Sequence, residues 1–424
     1  MLNIPDSGKK RIVIIGSGFA GLALGKKLKN AGFQVVIIDK HNYHQFPPLF
    51  YQVASAGLDA PSILFPLRKI FQKFNDFHIR KAEVTAIDPS GNIIHTAAGD
   101  LRYDHLVLAH GATNSFFGSS DLQRCSKPMK SIAEVLDLRN SLLMNFENAI
   151  TATDEEERKM LLNIVIIGGG PSGVEIAGAI AEMNKFILGK DYPEFKGIKA
   201  KIYLLEGTGR ILNMMSLKSS AKAREFLEKN GVTVLTDTLA KGCNEKNVFL
   251  SSGESIKTAM IIWTAGIKGN VIPGLRQDCY IKNNRISVDR SCKLPGYENI
   301  YALGDIAFMT EEKYPNGHPQ VAQVAIQQGV FLANHLKRSE KQAPKEEFRY
   351  RNKGSMATIG RNLAVVELPF VHFQGVFAWY VWMFVHLMSI VGVKNRLSIF
   401  LSWGWSYLTY DQSTRIILRP KSCA

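Results

Sequence analysis

Residues 11–21 read RIVIIGSGFAG, a short apolar run that gives way to three closely spaced glycines. The apolar, β-branched run Arg11–Ile15 predicts a strand, and Gly16-Ser17-Gly18-Phe19-Ala20-Gly21 follows it as a G-x-G-x-x-G turn. A helix is expected over Leu22–Asn30, closed by Gly32, and a second strand over Gln34–Ile38 ends in Asp39. Each residue type then has a task. Gly16 permits the tight turn, Gly18 lets backbone approach a pyrophosphate, and Gly21 lets helix pack on strand. The helix N-terminus faces the phosphates, and Asp39, 18 residues past Gly21, accepts hydrogen bonds from a ribose. A lone glycine motif is weak evidence; strand, helix and acid together make it a dinucleotide loop. A Walker-type loop is excluded, because Ala20 stands where its first glycine belongs and Lys27 replaces its Ser/Thr.

The pattern recurs. Asn163–Ile167 (NIVII) runs into Gly168-Gly169-Gly170-Pro171-Ser172-Gly173, and Val174–Glu182 reads as a small-residue helix. The next expected strand, Lys201–Leu205, ends in Glu206 after a longer interval than in the first unit. An acid at this strand end suits a free ribose 2′-hydroxyl and repels a 2′-phosphate, so the second loop should prefer NADH to NADPH unless Arg210 offsets it. Three further strands end in small-residue turns: Leu106–Thr113, Ile261–Gly266 and Asn299–Asp305, the last closing on Gly304-Asp305. Two dinucleotide units in one chain imply one stationary redox carrier and one mobile hydride donor.

The chain has 424 residues, room for two or three domains. Hydrophobic residues make up 46%, which fits a folded body and excludes a disordered or multi-span chain. The net charge of +15 favours an anionic partner, but no basic run or nucleic-acid motif accompanies it, so nucleic-acid binding is not expected. Five scattered cysteines without a C-x-x-C point to reduced thiols in a reducing compartment. The N-terminus lacks a secretory apolar segment, and a cytoplasmic body is the simplest expectation. His41 and His44 beside Asp39 match no ligand spacing, and no metal is expected.

Two segments bear on the electron acceptor. In His44–Ala54 (HQFPPLFYQVA) the pair Pro47-Pro48 is expected to forbid helix and hold the chain extended along a ring system. After Pro319 a helix should begin that carries Gln323 and Gln327 four residues apart on one face, where neutral carboxamides can hydrogen-bond a quinone carbonyl or simply face water. From Leu368 to Val393 there is no Asp, Glu, Lys or Arg, and four of the five tryptophans fall between Trp379 and Trp405. A single span, a buried dimer interface and two helices lying in one leaflet all fit. The interruptions at His372, Gln374 and His386 and the second aromatic stretch favour the last.

Taken together, the two loops, the Ala322-Gln323-x-Ala325-x-Gln327 motif and the His44-x-Phe46-x-Pro48-Leu49 segment resemble the type II NADH:quinone oxidoreductases of the two-dinucleotide-domain flavoproteins. The resemblance implies an α/β fold with two Rossmann-like domains, the NAD domain inserted in the FAD domain. It places the FAD domain at 8–125 and 270–345, the NADH domain at 126–269, and membrane-associating amphipathic helices in 346–424. It implies that FAD is contacted by Gly16, Ser17, Gly18, Phe19, Ala20, Gly21, Asp39, Lys40, Phe46, Pro48, Val84, Ala109, Gly111, Gly304, Asp305, Ala322 and Gln323. NADH would be contacted by Gly168, Gly170, Pro171, Ser172, Gly173, Glu175, Glu206, Ala265 and Gly266. Gln323 and Gln327 would line a quinone site, and Glu175 would handle a proton, although helix N-terminal charge stabilisation is its plainer role. Pro47 departs from the family, which more often has Gln or Thr there. The resemblance further implies a peripheral protein on an anionic lipid surface at the cytoplasmic face of the inner membrane, and a homodimer. A sulfide:quinone oxidoreductase, a soluble NADH-dependent reductase of a protein acceptor, and a redox-sensing interaction protein remain as alternatives.

Overall fold

The computed structural model describes residues 2–195, 200–342, 344, 346–409 and 414–418. The chain divides into two compact units. The first comprises residues 1–45, 64–113 and 267–352, and the second residues 46–63, 114–266 and 353–424.

The first unit is built on a five-stranded parallel sheet with Arg11–Ile15 at its centre. Gln34–Asp39 and Phe77–Lys81 lie on one side of it, His105–Leu108 and Ile300–Ala302 on the other. Ile12, Val13 and Ile14 are wholly buried, as are Val35–Ile38, so these strands read as unbroken apolar runs. The first glycine-loop helix spans Phe19–Lys27, starting three residues earlier than the sequence suggested because Phe19 to Gly21 already form its first turn. It packs against the Gln helix, Ala322–Ser339.

The second unit repeats the plan. Ile164–Ile167 is central in a parallel sheet, with Ile202–Leu205 and Val232–Leu235 on one side, Met260–Trp263 and Lys127–Pro128 on the other. The second glycine-loop helix, Pro171–Met183, starts with proline in its first turn, where a missing N–H costs nothing. Residues 46–63 belong to this unit, and here the structure corrects the extended expectation. Pro47–Leu49 form a 3-10 turn that leads directly into the helix Phe50–Ala54. Proline is excluded from helix interiors but not from a first turn, so Pro47 and Pro48 start this helix instead of forbidding it. It packs on Ile132–Thr151 and on the second glycine-loop helix.

The C-terminal part is an antiparallel sheet (Ser355–Thr358, Ala364–Glu367, His372–Gln374) followed by the helices Val376–Ser389 and Val393–Thr409. Among the described residues no helix is long and apolar enough to cross a membrane. The uncharged stretch is broken at Gly375, whose φ of +83° starts the first of these helices. Its 14 residues extend about 21 Å, short of a hydrocarbon core of about 30 Å.

Candidate active site

In the first unit the glycine turn is locked by its own acid. The Ser17 N–H and hydroxyl both donate to Asp39 Oδ2, at 2.7 and 2.6 Å, and the His41 N–H donates to Oδ1 at 2.8 Å. A carboxylate has about four acceptor positions, so one remains for a ribose hydroxyl. His44 Nδ1–H donates to the Ser17 carbonyl at 2.9 Å, and burial holds its imidazole neutral. Gly16 has φ +97°, and a Cβ there would lie 2.5 Å from the Ala109 carbonyl, so only glycine makes this turn. At Gly18 a Cβ would meet nothing within 4 Å. At the closing strand the Gly304 N–H donates to Gln328 Oε1 at 2.7 Å, and Gln320 donates to the Asp305 carbonyl at 2.9 Å.

The second unit builds the same cradle from other residues. Glu206 Oε2 accepts from the Gly169 N–H at 2.7 Å, and Oε1 from the Thr208 N–H and hydroxyl, each at 2.8 Å. Arg210 is engaged elsewhere, donating to the Met215 and Asn213 carbonyls, each at 2.7 Å. Gly170 is as open as Gly18. Helices starting at Ile132, Glu155 and Leu217 are capped by Ser131, Asp154 and Ser216, whereas neither glycine-loop helix has a side-chain cap. Their first-turn N–H groups are left for an anion, and the open glycine positions leave it room. The residues present fit a dinucleotide at each loop.

A third feature lies wholly in the second unit. Glu175, one turn into the helix, is 8% exposed. Burial pushes its carboxyl up to about 8, against the opposing pull of the Thr358 backbone and the Trp382 indole beside it. The helix terminus favours the charge by up to ~1 kcal/mol, while a rise of this size is worth about 5 kcal/mol, so burial wins. Trp382 is only 1% exposed and its N–H makes no well-formed hydrogen bond. Its ring stacks on His386 at 4.0 Å between centroids and meets Tyr51 edge-on at 6.2 Å. Trp379, Trp382 and Trp403 line a cleft of about 660 Å³, part of it open to solvent, together with Tyr51, Gln52, Glu182 and Arg361. Only Trp405 of the C-terminal tryptophans is strongly exposed, at 61%.

The pyridine nucleotide-disulphide oxidoreductase family matches residues 10–329, and the NDH2 C-terminal domain matches residues 352–409. The type II NADH:quinone oxidoreductase Ndh of Mycobacterium tuberculosis is 33% identical over 422 residues, spanning 95% of this chain and 89% of that protein. The chain belongs to the type II NADH:quinone oxidoreductases. Among solved structures, NDH2 from Plasmodium falciparum in complex with NADH superposes with a TM-score of 0.87 at 19% identity, over 97% of this chain and 100% of that one. The sulfide:quinone oxidoreductase of Aquifex aeolicus gives 0.75 at 18% identity over 92% of each. These two likenesses show the fold.

For this type II oxidoreductase, the residues expected at FAD divide between the units. Gly16 to Gly21, Asp39, Lys40, Val84, Ala109, Gly111, Gly304, Asp305, Ala322 and Gln323 lie in the first, whereas Phe46 and Pro48 lie in the second, with the Phe46 ring edge-on to His386. The nicotinamide set, Gly168, Gly170, Pro171, Ser172, Gly173, Glu175, Glu206, Ala265 and Gly266, lies in the second. The two glutamines have different environments. Gln327 donates to the Arg351 carbonyl at 2.9 Å and accepts from its N–H at 3.0 Å, so its carboxamide is spent on backbone. Among the described residues Gln323 makes no such bond. Sequence reasoning missed Gln328, Tyr51, Trp382 and Glu182; of these, Glu182 carried a usable signal, seven residues past Glu175 on the same helix face.

Proposed function

We propose that this enzyme binds FAD at Gly16–Gly21 and NADH at Gly168–Gly173, and reduces a membrane quinone beside Gln323. As a type II NADH:quinone oxidoreductase it oxidises NADH and reduces quinone in a single subunit. The observation that carries the cofactor reading is the duplicated cradle: two uncapped helices, each behind a glycine turn locked by a strand-end acid. FAD, when bound, supplies the two-electron carrier between NADH and quinone.

The chain's own residues do the rest. Asp39 and Glu206 accept ribose hydroxyls while holding their turns closed. Glu206 repels a 2′-phosphate, and Arg210 is anchored on the Met215 and Asn213 carbonyls, which favours NADH over NADPH. Gln323, uncommitted, donates its amide to a quinone carbonyl; Gln327 positions the Arg351 segment. Glu175, neutral at pH 7, holds a proton at its carboxyl oxygen for quinol formation.

Lipid association is read from the two C-terminal helices. Phe377, Phe384, Val393, Leu401 and Leu408 are all exposed, with Lys394 exposed among them, the pattern of helices lying in a bilayer interface against anionic headgroups. We place that surface at the cytoplasmic face of the inner membrane.

Replacing Gln323 by Leu tests the quinone reading. The variant should lose about tenfold or more in quinone reduction, the worth of one buried hydrogen bond, with NADH oxidation in a single turnover unchanged. Equal loss in both half-reactions, followed by stopped flow, would contradict the role.

A further inference from the structure

NADH + H⁺ + quinone → NAD⁺ + quinol takes up one proton from solvent in each turnover, so a buried Glu175 needs a supply. The second glycine-loop helix carries a second acid, Glu182, two turns on, with Ala179 between them on the same face. Ala179 and Glu182 line the cleft described above, as do Thr358 and Trp382, the two neighbours of Glu175. The cleft thus runs from one acid to the flank of the other. Its wall also carries Ser55, Gln52, Ser406 and Arg361, enough polar groups to hold water.

Tyr51 lines the same cleft as Glu182 and meets Trp382, the neighbour of Glu175; burial keeps its phenol protonated, and ionising either acid would hold that proton more firmly. Its hydrogen bonding is directional. Trp403 Nε1–H, which can only donate, donates to Gln52 Oε1 at 2.8 Å. Gln52 must therefore turn its Nε2–H to the Tyr51 oxygen, also at 2.8 Å. A phenol has one proton and two lone pairs; with one lone pair filled by Gln52, one remains to receive a proton while the O–H passes one on.

Glu182 itself is partly exposed. Burial raises its carboxyl to about 6, opposed by Arg361, whose charge and backbone N–H both face it, and by Lys185 in the turn that follows its helix. From the C-terminal helices Tyr407 faces the cleft beneath the Arg361 guanidinium, 3.9 Å from its ring centroid, with Tyr380 bonded to it. His386 is held neutral, with its pKa lowered to about 4 by burial.

We propose that Glu182 is the proton-entry residue for quinone reduction: it takes a proton from solvent at the mouth of this cleft and passes it through water and the Tyr51 phenol to Glu175. Only O–H bonds form and break, and no electron moves. The inference rests on the proton role of Glu175 given above.

The test is steady-state quinone reduction by the membrane-reconstituted holoenzyme and its Glu182→Gln and Glu175→Gln variants between pH 5.5 and 9, using a short-chain ubiquinone, with and without imidazole as a mobile proton carrier. Glu182→Gln should lose about tenfold in kcat at pH 8, with KM for NADH and quinone unchanged. Its pH profile should lose the limb near 6, and imidazole should restore most of the rate. A normal rate and profile in Glu182→Gln beside an impaired Glu175→Gln would overturn the entry role alone. A loss in Glu182→Gln that imidazole does not restore, with a raised KM, would assign the residue to structure and equally overturn it. An unimpaired Glu175→Gln would sink the reading of Glu175 on which the proposal rests.

Discussion

Gly170→Asp should give a folded enzyme that keeps its yellow cofactor and loses NADH oxidation by about 100-fold. The substitution is permitted by the backbone: Gly170 has φ −71° and ψ −179°, ordinary extended values, and a Cβ there meets nothing within 4 Å. What it changes is charge. The open position is where the proposed pyrophosphate approaches the uncapped helix, and a carboxylate about 4 Å from a phosphate repels it by about 4 kcal/mol at an effective dielectric of about 20. Discounted for partial exposure to solvent, half of that still exceeds 20-fold, and displacement of the nicotinamide adds to it. Measured by single-turnover NADH oxidation together with flavin content, the result separates the two cradles. Loss of flavin with loss of NADH oxidation would contradict two independent sites.

Glu175→Gln should make the protein more stable at neutral pH while it slows quinone reduction. The sign follows from the raised pKa, about 8 in the fold against the model-peptide value of 4.5. Below about pH 4.5 the carboxyl is protonated in both states and costs nothing. Between 4.5 and 8 only the unfolded chain ionises it, so folding loses about 1.4 kcal/mol per pH unit. At pH 7 the wild type therefore carries a penalty of about 3 kcal/mol that the neutral amide lacks. The Tm difference between variant and wild type should be near zero at pH 4.5, grow through neutrality and level off above pH 8. A Tm lowered at every pH would mean that Glu175 is structural.

Both glycine loops were legible because each lies on local signals that tertiary packing had no reason to override: an apolar run, a fixed glycine spacing and an acid at the next strand end. Their parallel sheets followed from the same runs. The misreading of Pro47-Pro48 came from weighing proline's exclusion from helix interiors and not its tolerance in a first turn. The C-terminal tryptophans serve a second purpose that the sequence does not show. Trp379, Trp382 and Trp403 line a cleft and only Trp405 shows strong exposure, since an indole serves a buried wall and a bilayer interface equally well and sequence alone does not separate them. The capture of Gln327 by the Arg351 backbone, 24 residues on, left no local trace. Glu182 was readable from helical spacing, but its meaning depends on Tyr51 and Trp403, which come from opposite ends of the sequence.

If the second cradle selects NADH and its electrons pass to a quinone, each half-reaction should show in the flavin. Anaerobic stopped flow tests it most directly: mix the purified protein with NADH or NADPH, then with a short-chain quinone, and follow the flavin absorbance. Rapid bleaching by NADH, much slower bleaching by NADPH and rapid recovery with quinone is the expected result. Bleaching without recovery on adding quinone, or none with either nicotinamide, would contradict it.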